Sequence, residues 1–245
     1  MLYLIGTGLY YLTDMSVRAL DKLKTCKEVY LERYTNLNEI SDIKKVETII
    51  GNRIALVGRE EVESDFIVSR ARTSEVALLV PGDPLSATTH VSLLCECKKL
   101  GIKFEVIHAS SIFSAIAEVG FSLYKFGATC SIPIYTANFK PESFFSVIEK
   151  NIKAGLHTLV LLEAKDRKNF VSLNSAIDIL KAIESKRKSS RIDWDKVVCV
   201  SRLGGEQKSI YLANSAKEND FPPACIVIPG KLNQVEADNF KILLS

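Results

Sequence analysis

Short continuous apolar runs, separated by longer stretches in which apolar residues recur every three or four positions, set the plan of this chain. LYLIG (2–6) predicts a strand, and Met15 to Lys24 predicts a helix started by Thr13 and Asp14, residues whose short polar side chains cap free first-turn amides. Val29 to Leu31 and Ile54 to Val57 predict strands. Glu60 to Ala71 predicts a helix whose acidic first turn suits the macrodipole. VALLVPG (76–82) predicts a buried strand stopped at Pro81-Gly82. A helix from about Thr88 to Leu100 ends at Gly101, and KFEVIHA (103–109) predicts the next strand. A helix-like stretch runs to about Val119, and then the pattern restarts. SIPIY (131–135), HTLVLLE (157–163), VVCVS (197–201) and ACIVIPG (224–230) predict strands, with helices near 142–153, 172–187 and 232–240.

Strands alternating with helices predict an α/β architecture. The unbroken apolar character of VALLV, TLVLL and CIVI predicts sheets covered on both faces. A boundary near residues 110–130 gives two α/β domains, drawn at 1–112 and 113–245. No internal repeat shows at periods of 20–50 residues. ESKRKSSR (184–191) is the one charge-rich tract: a solvated loop on its composition, or, more sharply, a docking surface for a ribosome-bound partner.

Composition narrows the picture further. The 245 residues are 47% hydrophobic and 25% charged, an ordinary globular mixture. A net charge of +3 argues against direct nucleic-acid binding, which calls for a strongly basic face. Cys26, Cys95, Cys97, Cys130, Cys199 and Cys225 lie mostly within apolar runs and read as free thiols of a reducing, cytoplasmic compartment. MLYLIGTGLYYL lacks a basic leader and carries Gly6 and Gly8, so it reads as a first strand rather than a signal peptide. No apolar run reaches the length of a membrane span.

Several chemistries lack their residues. His90, His108 and His157 are far apart, no cysteine pair has metal spacing, and neither a GxSxG elbow nor a P-loop occurs. Cys95 and Cys97 sit two apart on a predicted helix and so face different ways. Gly6-Thr7-Gly8 has Tyr11 where a dinucleotide fingerprint needs its third glycine. What remains is the loops at strand ends, where open α/β sheets hold ligands. In Pro81-Gly82-Asp83-Pro84-Leu85-Ser86-Ala87-Thr88-Thr89-His90, Gly82 permits close backbone approach, the prolines stiffen the loop, and Asp83 brings a carboxylate to the end of the sheet. The same residues would equally make a rigid turn closed by an Asx-type hydrogen bond.

GDPLSATTH (82–90) resembles the G-D-P-x-x-A-T-T-H signature of the diphthine synthases, members of the tetrapyrrole methylase superfamily. MLYLIGTGL, REEVE (59–63), IHASSI (107–112), LYKFG (123–127), SIPIY, NIKAGLHTL (151–159) and IPG (228–230) are similar to the same family in the same order, over essentially the whole chain. The resemblance implies two α/β domains with S-adenosylmethionine in a cleft between them, S-adenosylhomocysteine as product, and a homodimer. It implies successive methylation of the amine on the 3-amino-3-carboxypropyl group of a modified histidine of translation elongation factor 2. In one branch of the family the carboxylate is methylated too. The donor-binding positions carried over are Leu9, Asp83, Ser86, Ser111, Ile112, Leu162, Leu203 and Ala224. On burial statistics alone the leucines are ordinary core residues and Ser111 a helix cap.

The chain departs from the family pattern at several points. The usual GLG after the first strand is Gly6-Thr7-Gly8-Leu9, an alanine-aspartate before REEVE is Val57-Gly58, and the aspartate after HTL is Glu163. Histidines of the family stand as Ala224 and Asn233, so only a backbone contact carries over at 224. A sulfonium methyl is already activated, and holding nucleophile, carbon and sulfur in line supplies about 7–11 kcal/mol of the acceleration. The acceptor amine must be neutral, which a low-dielectric site and the donor's positive charge both favour. The sequence identifies no metal, and no dedicated catalytic base is required; His90 and His108 are candidate proton acceptors, though a histidine with its hydrogen bonds satisfied within the fold is the commoner case. Rival readings are a methylase of the same superfamily acting on a tetrapyrrole or ribosomal RNA, and a non-catalytic binding module.

Overall fold

The apolar run at the start of the chain forms β1 (Leu2–Gly6), every residue of it buried. It is followed by α1 (Val17–Leu23), β2 (Glu28–Glu32), α2 (Ile43–Ile50), β3 (Ile54–Val57), α3 (Arg59–Glu63), α4 (Phe66–Thr73), β4 (Val76–Val80), α5 (Val91–Lys99), β5 (Phe104–Ile107) and α6 (Ile112–Ala115). The computed structural model describes all residues except 11, 35–42, 167, 189–191, 216–220 and 245. The chain divides into two units, Met1–Phe113 and Ser114–Ser245.

In the first unit the strands pair in the order β3-β2-β4-β1-β5, all parallel. Successive strand residues point to opposite faces, so two cores form. One face carries Tyr3, Ile5, Ala77 and Leu79 beneath Ala19 and Leu23 of α1 and Val46 and Ile50 of α2. The other carries Leu2, Leu4, Leu78 and Val80 beneath Val62 of α3, Ile67 and Ala71 of α4, and Leu93 and Cys97 of α5. Each wholly buried Leu or Ile here contributes about 1.5–3 kcal/mol relative to exposure.

The faces matter for function. β1 and β4 are neighbours, yet the chain leaves β1 through α1 on one face and leaves β4 through α5 on the other. Adjacent parallel strands with diverging connections open a crevice at their C-terminal ends, the switch point where doubly wound sheets bind ligands.

The second unit contains β6 (Cys130–Ile132), α7 (Ser143–Lys153), β7 (Thr158–Leu162), α8 (Leu173–Arg187), β8 (Val198–Ser201), β9 (Ser209–Leu212), β10 (Ala224–Ile228) and α9 (Gln234–Leu244). Its strand order is β6-β7-β10-β8-β9; β6 and β7 are parallel and the remaining pairs antiparallel. Phe144, Phe145 and Ile148 of α7 and Leu173, Ala176, Leu180 and Ile183 of α8 cover one face. α9 is anchored by Glu236, only 1% exposed. This carboxylate accepts from Asn233 N (3.0 Å), Ser122 N (3.1 Å), His157 Nε2 (3.1 Å) and Lys125 Nζ. Glu236 N donates in return to Asn233 Oδ1 at 2.9 Å, which completes a capping box. Asn233, where the family has a histidine, is therefore a working helix cap.

Several element boundaries differ from the sequence expectation, each for a local reason. The helix expected from Met15 starts at Val17 because Ser16 caps it, Oγ accepting from Ala19 N at 3.2 Å. Asp14 turns instead to Leu9 N and Tyr10 N. Replacing Ser16 with alanine is expected to lower stability by about 1 kcal/mol in urea denaturation. The single helix expected over Glu60 to Ala71 is two, broken at Ser64, whose backbone is extended and whose Oγ accepts from Phe66 N. The helix expected from Thr88 begins at Val91, since Thr88 Oγ1 donates to Pro84 O and belongs to the loop. The tract at 184–191 is not wholly a loop. Glu184 to Arg187 form the last turn of α8, Glu184 accepting from Ile192 N and Trp194 Nε1, and Arg187 pairing with Glu149. Residues 189–191 of that tract, and Tyr11, lie outside the described residues. The elements α2 and β9 have no counterpart in the sequence expectation.

Candidate active site

Three loops meet at the C-terminal ends of β4, β1 and β5. The loop after β1 is zipped to the loop after β4: Gly8 N donates to Gly82 O at 3.2 Å and Gly82 N to Gly8 O at 2.8 Å. Both glycines have positive φ, 78° and 75°, a region glycine enters without strain. Gly6 serves a different need. A Cβ placed on it would meet Gly82 O at 2.6 Å, Ala109 Cβ at 2.8 Å and Pro84 Cδ at 2.9 Å. The first turn, the Asp83 loop and the segment after β5 thus converge on one glycine.

Asp83 fastens this arrangement. Its Oδ1 accepts from Leu85 N at 3.0 Å, the Asx-type bond that the rigid-turn reading predicts, and from Ser86 Oγ at 3.3 Å. Its Oδ2 accepts from His108 Nδ1 at 2.7 Å and Ala109 N at 3.3 Å. Burial alone would raise the carboxyl's pKa, but the bonds from Leu85 N, His108 and Ala109 N outweigh it and hold the group below its ordinary value. Asp83 is a carboxylate, 8% exposed, committed to holding two loops together. Sequence alone puts a charge at this end of the sheet; the structure gives that charge to the protein's own loop.

His90, at the start of α5, lies beneath the loop and is 2% exposed. Its Nδ1 is 3.2 Å from Pro84 O, and its Nε2 is 2.7 Å from Glu32 Oε2 and 3.2 Å from the Tyr34 hydroxyl. It is a hydrogen-bonded structural histidine tying the loop to the end of β2. Ala87 holds a left-handed backbone (φ 57°), a conformation that costs a non-glycine residue about 1–2 kcal/mol and is found preferentially in functional loops.

Of the residues carried over by resemblance, five lie at this end of the first sheet. Leu9 is half-buried on the β1 loop, Ser86 is half-buried beside Asp83, Ser111 is buried, and Ile112 is half-buried at the first position of α6. The other three belong to the second unit and converge at one end of its sheet. Leu162 closes β7, Ala224 opens β10 opposite Ser201, and Leu203 follows β8 directly after Arg202, another left-handed residue (φ 51°). With Cys225 opposite Leu161 in the antiparallel β7–β10 pair, the next step of the register sets Ala224 beside Leu162. Leu162 and Ala224 are half-buried and Leu203 is buried.

The pairing of Asp83 with His108 escapes the sequence reading. Both lie in recognised motifs, but a separation of 25 positions carries no period; only the adjacency of β4, β1 and β5 brings them together.

A sequence model of the tetrapyrrole (corrin/porphyrin) methylases matches residues 1–217. The chain belongs to this family and is a methyltransferase. A diphthine synthase from Methanocaldococcus jannaschii is 38% identical over 99% of this chain and 98% of its own length. A diphthine methyl ester synthase from Yarrowia lipolytica is also 38% identical, over 97% of this chain and 87% of its own. The crystal structure of a protein assigned as the diphthine synthase of Entamoeba histolytica superposes with a TM-score of 0.87 at 32% identity, covering 100% of this chain and 98% of that one.

Proposed function

We propose that this chain is an S-adenosylmethionine-dependent diphthine synthase. It transfers methyl groups to the amine of the 3-amino-3-carboxypropyl group on the modified histidine of elongation factor 2, in diphthamide biosynthesis. The observation that carries this reading is the fastened Asp83 loop at the topological switch point of the first sheet, in a chain similar end to end to diphthine synthases. The donor lies against Leu9, Ser86, Ser111 and Ile112 at the strand ends of the first sheet. Leucine and isoleucine side chains offer the adenine apolar walls, and loop amides and hydroxyls suit ribose and the methionine end. Asp83 acts by holding the loops in shape. The elongation factor is a cytoplasmic partner, so this chain works in the cytoplasm; no helix among its described residues is long and apolar enough to cross a membrane.

Asp83→Ala releases the bonds to Leu85 N, Ser86 Oγ, His108 and Ala109 N while leaving both cores of the sheet intact. Calorimetry with S-adenosylhomocysteine is expected to show binding weakened about 10–100-fold in a folded protein, about 1.4–2.8 kcal/mol, as the loops at the strand ends lose the carboxylate that fastens them. An unchanged dissociation constant removes Asp83 from the donor site. The function itself is tested by incubating the protein with labelled S-adenosylmethionine and elongation factor 2 bearing the aminocarboxypropyl histidine. Mass spectrometry of the modified peptide is expected to show three added methyls, or four where the carboxylate is esterified as well. An unmodified peptide contradicts the reading.

A further inference from the structure

The geometry points to His108 as the catalytic proton acceptor that frees the acceptor amine for each methyl transfer, an inference that rests on the methyltransferase reading above. His108 follows directly on β5, at the end of the sheet where the β1 and β4 loops meet, and its side chain is 65% exposed. The Asp83 carboxylate faces its Nδ1 at 2.7 Å. A carboxylate accepts only, so Nδ1 carries the proton and donates, and the lone pair of the neutral ring is left on Nε2. Among the described residues Nε2 has no hydrogen-bond partner. A buried carboxylate that fixes the tautomer and aim of an imidazole is the orienting half of an acid–base pair, and it stabilises the imidazolium that forms. Elsewhere in the chain histidines are fully occupied. His90 is enclosed by Glu32, Tyr34 and Pro84 O, and His157 Nε2 meets Glu236 while its Nδ1 accepts from Gly230 N. Other acidic side chains near His108 are engaged: Asp14 of the β1 loop accepts from Leu9 N and Tyr10 N, and Glu105 of β5 pairs with Arg18.

The chemistry gives such a group a task. An ammonium has no lone pair, so it first passes a proton to Nε2, giving a neutral amine and an imidazolium. The amine nitrogen then bonds to the methyl carbon as the carbon–sulfur bond breaks and its electron pair returns to sulfur, giving a methylammonium and a neutral thioether. The exposed imidazolium returns its proton to water. Three rounds convert the primary ammonium into a trimethylammonium and release three protons. Methylation of a carboxylate needs no such step, because that oxygen already carries its lone pairs.

The test is His108→Asn, whose side-chain amide keeps a donor for Asp83 while removing the acceptor at Nε2. An exposed position predicts a folded variant with wild-type melting. With the modified elongation factor as substrate near pH 7, the single-turnover rate of N-methylation is expected to fall by about 100-fold or more. The deficit shrinks to about 10-fold or less above the amine's own pKa, where solvent supplies the free base, and affinity for S-adenosylhomocysteine stays as in the wild type. A wild-type rate near pH 7, a deficit equally large at all pH values, or a parallel loss of S-adenosylhomocysteine binding overturns the assignment. A wild-type protein that transfers no methyl under these conditions defeats the functional reading, and the assignment of His108 with it.

Discussion

Gly6→Ala is expected to weaken S-adenosylhomocysteine binding by about 100-fold or more and to cost about 1–3 kcal/mol of stability, the range for overpacking a well-filled site. The added Cβ has nowhere to go. It would stand 2.6 Å from Gly82 O, 2.8 Å from Ala109 Cβ and 2.9 Å from Pro84 Cδ, and the first and last of these belong to the stiff 82–90 loop. Relief requires either that loop or the segment after β5 to move away from β1. Such a shift would separate Gly8 from Gly82 and Asp83 from His108, the contacts that hold these loops together. Calorimetry on the folded variant checks this; donor-product affinity equal to the wild type would show that the convergence on Gly6 has no part in binding.

Glu236→Gln is expected to lower stability by about 1–3 kcal/mol, the cost of leaving a buried donor without its acceptor. The carboxylate gathers Lys125 Nζ, His157 Nε2 and the amides of Ser122 and Asn233, all donors. A glutamine amide would turn an N–H group toward one of them. The same group sets an acid limb. Burial alone would raise its pKa, but the donors around it bring the value down from an ordinary 4.5 to about 2. A carboxyl lowered in the folded state contributes stability that is complete above the unfolded pKa near 4.5 and is lost as pH falls through about 2, here on the order of 3 kcal/mol. His157 acts in the same direction. Burial lowers its pKa below 6.5, so the unfolded chain takes up a proton first and stability begins to fall as pH drops below 6.5. Thermal melts of the wild type between pH 7 and pH 3 are expected to show a steady decline, and Glu236→Gln a shallower one from a lower start. Parallel curves for the two proteins would count against this role.

Much of the fold is legible in the chain. The apolar runs LYLIG, VALLV and CIVI become the buried strands β1, β4 and part of β10, because a strand covered on both faces needs no polar alternation. Cys97 is buried and Cys95 exposed, as their spacing on a helix requires. The break at Ser64 is less visible, since REEVE and FIVSRART join in one helical period and only a serine and an aspartate separate them. β9 escapes notice because SIYL is a short, half-buried edge strand bordered by polar residues. The antiparallel pairing of β10 with β7 and β8 is equally hidden, as strand direction is set by chain crossings rather than composition. At the candidate site, the motif picks out Asp83 but not its commitment to His108 and Ala109, which depends on three strands lying side by side.

The most direct measurement is a crystal structure of the protein soaked with S-adenosylhomocysteine. The ligand is expected at the C-terminal ends of β1, β4 and β5, against Leu9, Ser86, Ser111 and Ile112, with the Asp83–His108 bond preserved beside it. Ligand bound elsewhere, or those strand ends closed over by their own side chains in a fully soaked crystal, would contradict it.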